Sequence, residues 1–257
     1  MIDRTRQHGF SLTETLLAVG TLAIGLTFIA GTFLTGIYFS TVSTERTIGA
    51  VVADEAFAKM RIFGIDPNAT LGYDGFASYA DLVSAMPVRE YYYPSTDQAV
   101  GRQYSWSALC RRMEEDGRLL QCTVFVCRRA GTSSTYYVRK SDSLDLDVAD
   151  LPRPVRVQVV QAAMPADANE VSIEDAVPSD GIDELAFVND GSVLVGDETG
   201  QIYRVLERFV DRPDTIRLDE PWDGDPNGWG WVVPPATSGG RNPVVAVYQE
   251  VIRIPDR

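Results

Sequence analysis

The chain has 257 residues, 45% hydrophobic and 23% charged, which is ordinary globular composition and enough for one sizeable core or two small ones. With 23 Lys and Arg against 36 Asp and Glu, its formal charge of −13 repels a phosphate backbone and argues against nucleic-acid binding through a basic face. One His (His8) and three Cys (Cys110, Cys122, Cys127) are too few for a zinc finger or an iron–sulfur array.

Nearly all the long apolar sequence precedes residue 40, so the chain reads as a membrane-attached protein with a soluble remainder. No charged residue occurs from Thr15 to Thr44, and Leu16, Leu17, Val19, Leu22, Ile24, Leu26, Phe28, Ile29, Phe33, Leu34 and Ile37 supply the apolar bulk. About 20 such residues cross a bilayer core of about 30 Å as a helix. Arg4 and Arg6 lie before the run, whereas Glu45 and Arg46 cancel after it, so the N-terminus is expected to be cytoplasmic. A cleaved secretory signal fits poorly, because the run is too long and lacks small residues in an A-x-A-like pattern.

Glu14 is out of place in a plain anchor. A carboxylate in the membrane costs about 2.5–3.5 kcal/mol on insertion scales, yet this one sits inside the apolar segment that starts at Phe10. The local string is Gly9-Phe10-Ser11-Leu12-Thr13-Glu14, after a short leader with two Arg. It resembles the processing signal of type IV prepilins and type II secretion pseudopilins: Gly, then Phe or Met, then a Ser/Thr-Leu-x-Glu stretch leading into a long apolar helix. Leu22-Ala23-Ile24-Gly25-Leu26 looks most like the minor V-type pilins and I-type pseudopilins. The resemblance covers about residues 1–40, with the general architecture reaching to about residue 165.

The resemblance implies cleavage between Gly9 and Phe10 by a prepilin peptidase and methylation of the new Phe10 amine. It also implies a subunit-assembly role for Glu14, as counter-ion to the amine of the adjacent subunit. Such a desolvated pair depends on both members. The implied partners are the peptidase, other pilin or pseudopilin subunits, an inner-membrane assembly platform and membrane lipid. The implied location is a bacterial inner membrane, crossed once, with a periplasmic C-terminal part that later enters a pilus or pseudopilus. Gly20, Gly25, Gly31 and Gly36 recur through the span without a repeated G-x-x-x-G, so they read first as ordinary membrane-helix glycines and second as close-packing positions.

From Ser40 to Phe63 the helical pattern becomes amphipathic, with Ile48, Val52, Ala56, Met60 and Phe63 on one stripe and Lys59 among the charged residues largely elsewhere. Gly64 and Asp66-Pro67 stop it. Residues 66–101 read as a connecting loop; its Tyr91-Tyr92-Tyr93 cluster suits a satellite core better than a contact surface. Tyr104–Arg112 and Arg118–Arg129 form a hairpin signal around Glu114-Glu115-Asp116-Gly117. A three-residue loop there puts Cys110 opposite Cys122 and places Trp106, Ala108, Val124 and Val126 on their face. A Cys110–Cys122 disulfide and three buried free thiols both remain open, with Cys127 on the other face.

Tyr136–Arg139 and Val155–Ala162 are the next strands, and Met164-Pro165-Ala166-Asp167 reads as a boundary. Beyond it come Glu184–Val188, Val193–Val195, Ile202–Phe209, Thr215–Leu218, Gly230–Val233 and Val244–Ile254, with turns at Asn189-Asp190-Gly191 and Asp197-Glu198-Thr199-Gly200. Asp223, Asp225 and Asn227 have the D-x-D-x-N-G spacing of half a calcium loop. Position twelve is Pro234 rather than Glu, so a plain turn is the first expectation and calcium the second.

The expected fold is α+β: a long N-terminal helix, half in the membrane and half amphipathic, packed on an antiparallel β-sheet, with a further β-rich C-terminal region. The expected division is leader 1–9, membrane and filament-core helix 10–39, pilin-like domain 40–165 and β-rich region 166–257. No enzyme is expected: His8 would leave with the leader, and no P-loop or dinucleotide fingerprint is present. The expected function is a non-catalytic minor pilin or pseudopilin of a type IV pilus or type II secretion system. The alternative is a membrane- or filament-anchored β-rich adhesin or ligand-binding head, which an exposed aromatic groove around Trp222, Trp229 and Trp231 would favour.

Overall fold

The computed structural model describes residues 11–66, 69–72, 74–95, 103–113, 119–129, 131, 133–139, 144–161 and 167–253. It is a mixed helix-and-sheet protein with two compact units, 1–47 and 48–257. Helix α1, Leu12–Phe63, forms the described part of the first unit and enters the second at Ile48.

In the first unit, Ser11 opens α1: its Oγ and its carbonyl oxygen accept from the Glu14 N–H at 3.2 and 3.0 Å. Its large apolar side chains from Leu12 to Phe39 are exposed; Leu12 is 79% and Phe28 73% accessible. The helix is long and apolar enough to cross a membrane. Threonine is a poor helix former because its hydroxyl competes for backbone groups. Here that competition is resolved within the helix: the hydroxyls of Thr15, Thr21, Thr27, Thr35, Thr41 and Thr44 each donate to the carbonyl four residues earlier. No hydroxyl of that set reaches the apolar surroundings unpaired.

In the second unit α1 ends at Phe63, where Gly64 takes φ +67° and its N–H bonds the Met60 carbonyl at 2.9 Å. The strands follow in chain order: β1 (Ala77–Ser78), β2 (Tyr92–Tyr93), β3 (Tyr104–Arg112), β4 (Leu119–Arg128), β5 (Tyr136–Val138), β6 (Asp147–Ala149), β7 (Val155–Val160), β8 (Glu170–Glu174), β9 (Val193–Gly196), β10 (Ile202–Arg208), β11 (Thr215–Leu218), β12 (Asn227–Val232) and β13 (Val244–Arg253). A short helix α2 (Tyr79–Leu82) follows β1, and 3-10 turns occupy Val88–Tyr91 and Glu184–Phe187. An antiparallel sheet runs β1-β3-β4-β13, with β2 also on β3, and a closed barrel runs β10-β11-β8-β7-β12-β9.

The sheet is the middle of three layers. On one face Val52, Ala56, Phe57 and Met60 of α1 pack against Trp106, Ala108, Cys110, Cys122, Val124, Val126 and Ile252. On the other, Phe76, Leu109, Phe125 and Cys127 meet Val195, Trp231 and Val233 at the outside of the barrel. The barrel interior is filled by Val155, Val157, Val159, Val171, Ile173, Leu194, Tyr203, Val205, Ile216 and Leu218, leaving a core rather than a pore.

Several expectations are corrected here. Residues 66–101 are more than a connecting loop: Tyr79, Leu82, Tyr91 and Tyr92 belong to the main core under α1. The strand expected over Glu184–Val188 is instead a 3-10 turn at Glu184–Phe187, where Asp183 accepts the Leu185 N–H at 3.0 Å and Glu184 turns inward to a buried Arg139. Glu170–Glu174 is a strand where none is expected from the sequence. Lys59 is buried on the apolar side of α1, its Nζ held 2.6 Å from Glu55 and 3.2 Å from Glu90.

The expected break between residues 165 and 166 does not follow the sheets. Strand β7 lies before it yet belongs to the barrel, and β13 lies at the far end of the chain yet pairs with β4 from Val244 to Arg253, with one irregularity after Val244. Residues 162–166 themselves fall outside the described set.

Candidate assembly site on the N-terminal helix

The cleavage and methylation positions, Gly9 and Phe10, lie outside the described residues; Glu14 lies within them, in the first turn of α1. Two local effects hold an acid there. Ser11 and Glu14 stand in the S-x-x-E arrangement of a capping box, of which the Ser11 Oγ half is formed. A carboxylate near a helix N-terminus also meets the positive end of the helix dipole. The spacing of Ser11 and Glu14 carries this signal in the sequence, so Glu14 is less out of place than its apolar surroundings alone imply. Neither effect neutralises the carboxylate: among the described residues its side chain has no ion pair or hydrogen bond.

Glu14 heads a face of mostly small residues, interrupted by Ile29. Steps of three and four lead from Glu14 to Ala18, Thr21, Gly25, Ile29, Thr32, Gly36 and Ser40, which share one side of a helix. A groove of about 400 Å³ is lined by Ala18, Thr21, Gly25 and Ile29 among others. It is followed by one of about 530 Å³ that includes Ile29, Thr32, Gly36 and Ser40. Gly25 and Gly36 have no atom within 4 Å of a would-be Cβ, so nothing in the chain itself occupies the space they leave. Gly31 instead lines a different groove with Ala23, Thr27 and Thr35.

The remaining candidates fall in the second unit. Cys110 and Cys122 are paired in register on β3 and β4 with their sulfurs 3.0 Å apart, and all three cysteines are free and buried. Burial pushes the Cys110 and Cys127 thiols far above the usual range. The D-x-D-x-N-G segment is engaged in turn formation. The Asp223 N–H donates to Tyr203 Oη at 2.9 Å, the Asp225 carbonyl accepts from Trp222 Nε1 at 3.0 Å, and Asn227 opens β12 opposite Val160. Among the described residues no group of three or more His, Cys, Asp or Glu converges on a metal position. Trp222 and Trp231 are 5% and 1% accessible, and Trp229 carries the Arg156 guanidinium 4.7 Å above its ring. A 730 Å³ groove on this unit, beside Asn189, Arg208, Val210 and Arg241, is lined by none of the three Trp.

Two buried carboxylates of this unit were invisible to sequence reasoning. Asp197 accepts from Phe76 N at 2.9 Å and from Trp231 Nε1 at 2.6 Å, and lies 3.3 Å from Arg156. It thereby ties the loop before β1 to the barrel. Glu184 and Arg139 form an ion pair in which neither side chain is more than 2% accessible. Burial raises the Glu184 carboxyl above its usual range, and Arg139 opposes that rise. No spacing announces either residue, since their partners are distant in the chain.

No family model, curated protein or solved structure matches this chain.

Proposed function

We propose that this chain is a minor pilin or pseudopilin: a non-catalytic subunit, cleaved after Gly9, that packs its N-terminal helix among like helices in a filament core. The observation that carries the reading is Glu14, a carboxylate with no side-chain partner among the described residues at the head of an exposed apolar helix. Its partner is the Phe10 ammonium of an adjacent subunit, freed by cleavage and methylated by the same enzyme. Two charges taken out of water together are tolerable, and either one alone is not. The small-residue face below Glu14 gives the neighbouring helix room to approach.

Arg4 and Arg6 orient the N-terminus to the cytoplasm, and the second unit stands on the opposite side of the membrane before assembly. The peptidase, other pilin or pseudopilin subunits, the assembly platform and lipid are then its partners. The detachable adhesin head draws less support. Two of the three expected groove Trp are core residues, and the barrel shares its unit with the sheet through β13 and the Asp197 contacts.

Intact mass with and without a prepilin peptidase tests the reading. Loss of nine residues and gain of a methyl group is expected; an unchanged N-terminus overturns it. Glu14→Gln separates assembly from capping, because Gln also serves at that position of a capping box. Membrane insertion is expected to persist and filament incorporation to be lost, as also with Glu14→Ala or Glu14→Val. Normal incorporation of Glu14→Gln would remove the proposed pair.

A further inference from the structure

Cys110 and Cys122 stand directly opposite each other on neighbouring strands, fully enclosed, with their sulfurs 3.0 Å apart. Closure to a disulfide bond of about 2.05 Å requires about 1 Å of sulfur movement, within the reach of side-chain rotation. Cys127 points to the other face of the same strand, into the cluster with Phe125 and Trp231, opposite Ser105 on β3. The sheet itself therefore separates it from the pair. Of the three pairings that three cysteines allow, this register leaves one.

We propose that Cys110 and Cys122 are oxidised to a cross-strand disulfide during folding, that the docked helix α1 then seals the bond, and that Cys127 stays a thiol. The reaction consumes one disulfide of an external oxidant, either glutathione disulfide or the active-site disulfide of an oxidoreductase. A thiolate of the pair attacks it and expels one thiol. The second thiolate then attacks the mixed disulfide and expels the other. The two protons lost by the cysteines end on the two expelled thiolates and two electrons pass to the oxidant, leaving it as two thiols.

Order matters because both sulfurs have no accessible surface once the unit is formed. Only the open hairpin, whose strands are joined by a short local connection, exposes them to an oxidant. The same enclosure later excludes reductants, so the bond is set once and kept. In cells this rests on the extracytoplasmic location proposed above, since cytosolic thiols are held reduced.

The test is thiol counting on the full chain, purified in detergent, refolded in glutathione redox buffer and alkylated after denaturation. One adduct and a mass about 2 Da lower than the reduced chain are expected; three adducts overturn the proposal. Cys127→Ser is expected to show none and Cys110→Ser two, and a Cys127-containing disulfide in any sample also overturns it. Reductant is expected to open the bond roughly tenfold or more faster in sub-denaturing urea than in native buffer, as for a site reached by local unfolding; equal rates refute the sealing. Because the buffer supplies the oxidant, these results do not depend on location. One adduct here but three in protein taken directly from cells would overturn the location and leave the pair standing.

Discussion

The two stretches of α1 share a backbone and differ in what they do with charge. Between Leu12 and Phe39 large apolar side chains are exposed, Phe33 at 68%, and the single acid, Glu14, has no side-chain partner among the described residues. From Val52 to Met60 the apolar side is buried, with Phe57 at 5%, and the one buried cation, Lys59, is held by Glu55, Glu90 and the Glu90 carbonyl. The rest of the second unit follows the same habit: Glu184 has Arg139, and Asp197 has Arg156, Trp231 and the Phe76 N–H. One region pairs its buried charges internally; the other satisfies the hydroxyls of its threonines within the helix and leaves its one carboxylate without a side-chain partner among the described residues. That asymmetry separates a packed core from an exposed apolar helix, and on the proposed function the exposed helix is half of an interface.

The comparison breaks most sharply at its two acids. Glu14→Gln is expected to abolish filament incorporation while leaving the melting temperature of the second unit unchanged. Glu184→Ala is expected to do the reverse, lowering stability by about 3–5 kcal/mol because Arg139 is left charged and enclosed without its partner. Urea unfolding measures this, and a loss below about 1 kcal/mol would show that the pair is not buried as described.

A smaller effect probes the helix face. Gly25→Leu fills the groove beneath Glu14 and is expected to lower incorporation roughly tenfold, about 1.4 kcal/mol of lost helix contact, while Gly31→Leu, on another groove, changes it little. Co-purification with tagged partner subunits reads the difference, and equal effects would erase the face.

A last effect, spread over about two pH units, belongs to the second unit alone. Burial pushes Tyr91 up to about 12 and raises Tyr79 as well, against an ordinary value of 10.0. In the unfolded chain both ionise near the ordinary value, whereas the folded chain keeps the protons. The stabilising contribution is therefore complete below about pH 10 and lost as pH rises towards about 12, at about 1.4 kcal/mol per pH unit for each tyrosine. Denaturant midpoints measured across that range should fall, and Tyr91→Phe should flatten the slope.

Much of the local structure was legible. The apolar run, the amphipathic stripe and Gly64 delimited α1 to within two residues of its described start. Period-two alternation and the turn chemistry at Glu114–Gly117 set a register in which Cys110 faces Cys122, and that is the register observed. Gly191 and Gly200 turn with φ +79° and +71°, as their positions in Asn-Asp-Gly and Glu-Thr-Gly strings anticipate. These features depend on neighbours a few residues away, so a linear pattern can carry them.

What the chain order concealed was partnership over distance. Strand β13 reads like any other short strand, and nothing in it says that it skips the barrel to pair with β4. Asp197 sits in a string that reads as a surface turn, and Glu184 in one that reads as a strand. Each is buried because an Arg distant in the chain and a backbone N–H, from Phe76 for Asp197 and from Ala176 for Glu184, converge on it. The sequence by itself determined the apolar helix, its anionic first turn and the local strand signals, since each follows from periodicity and short-range sterics. Only the tertiary structure decided which strands close the barrel, which face of the sheet meets it, and which charges are enclosed. Those outcomes depend on complementary surfaces that meet only after the chain has folded back on itself.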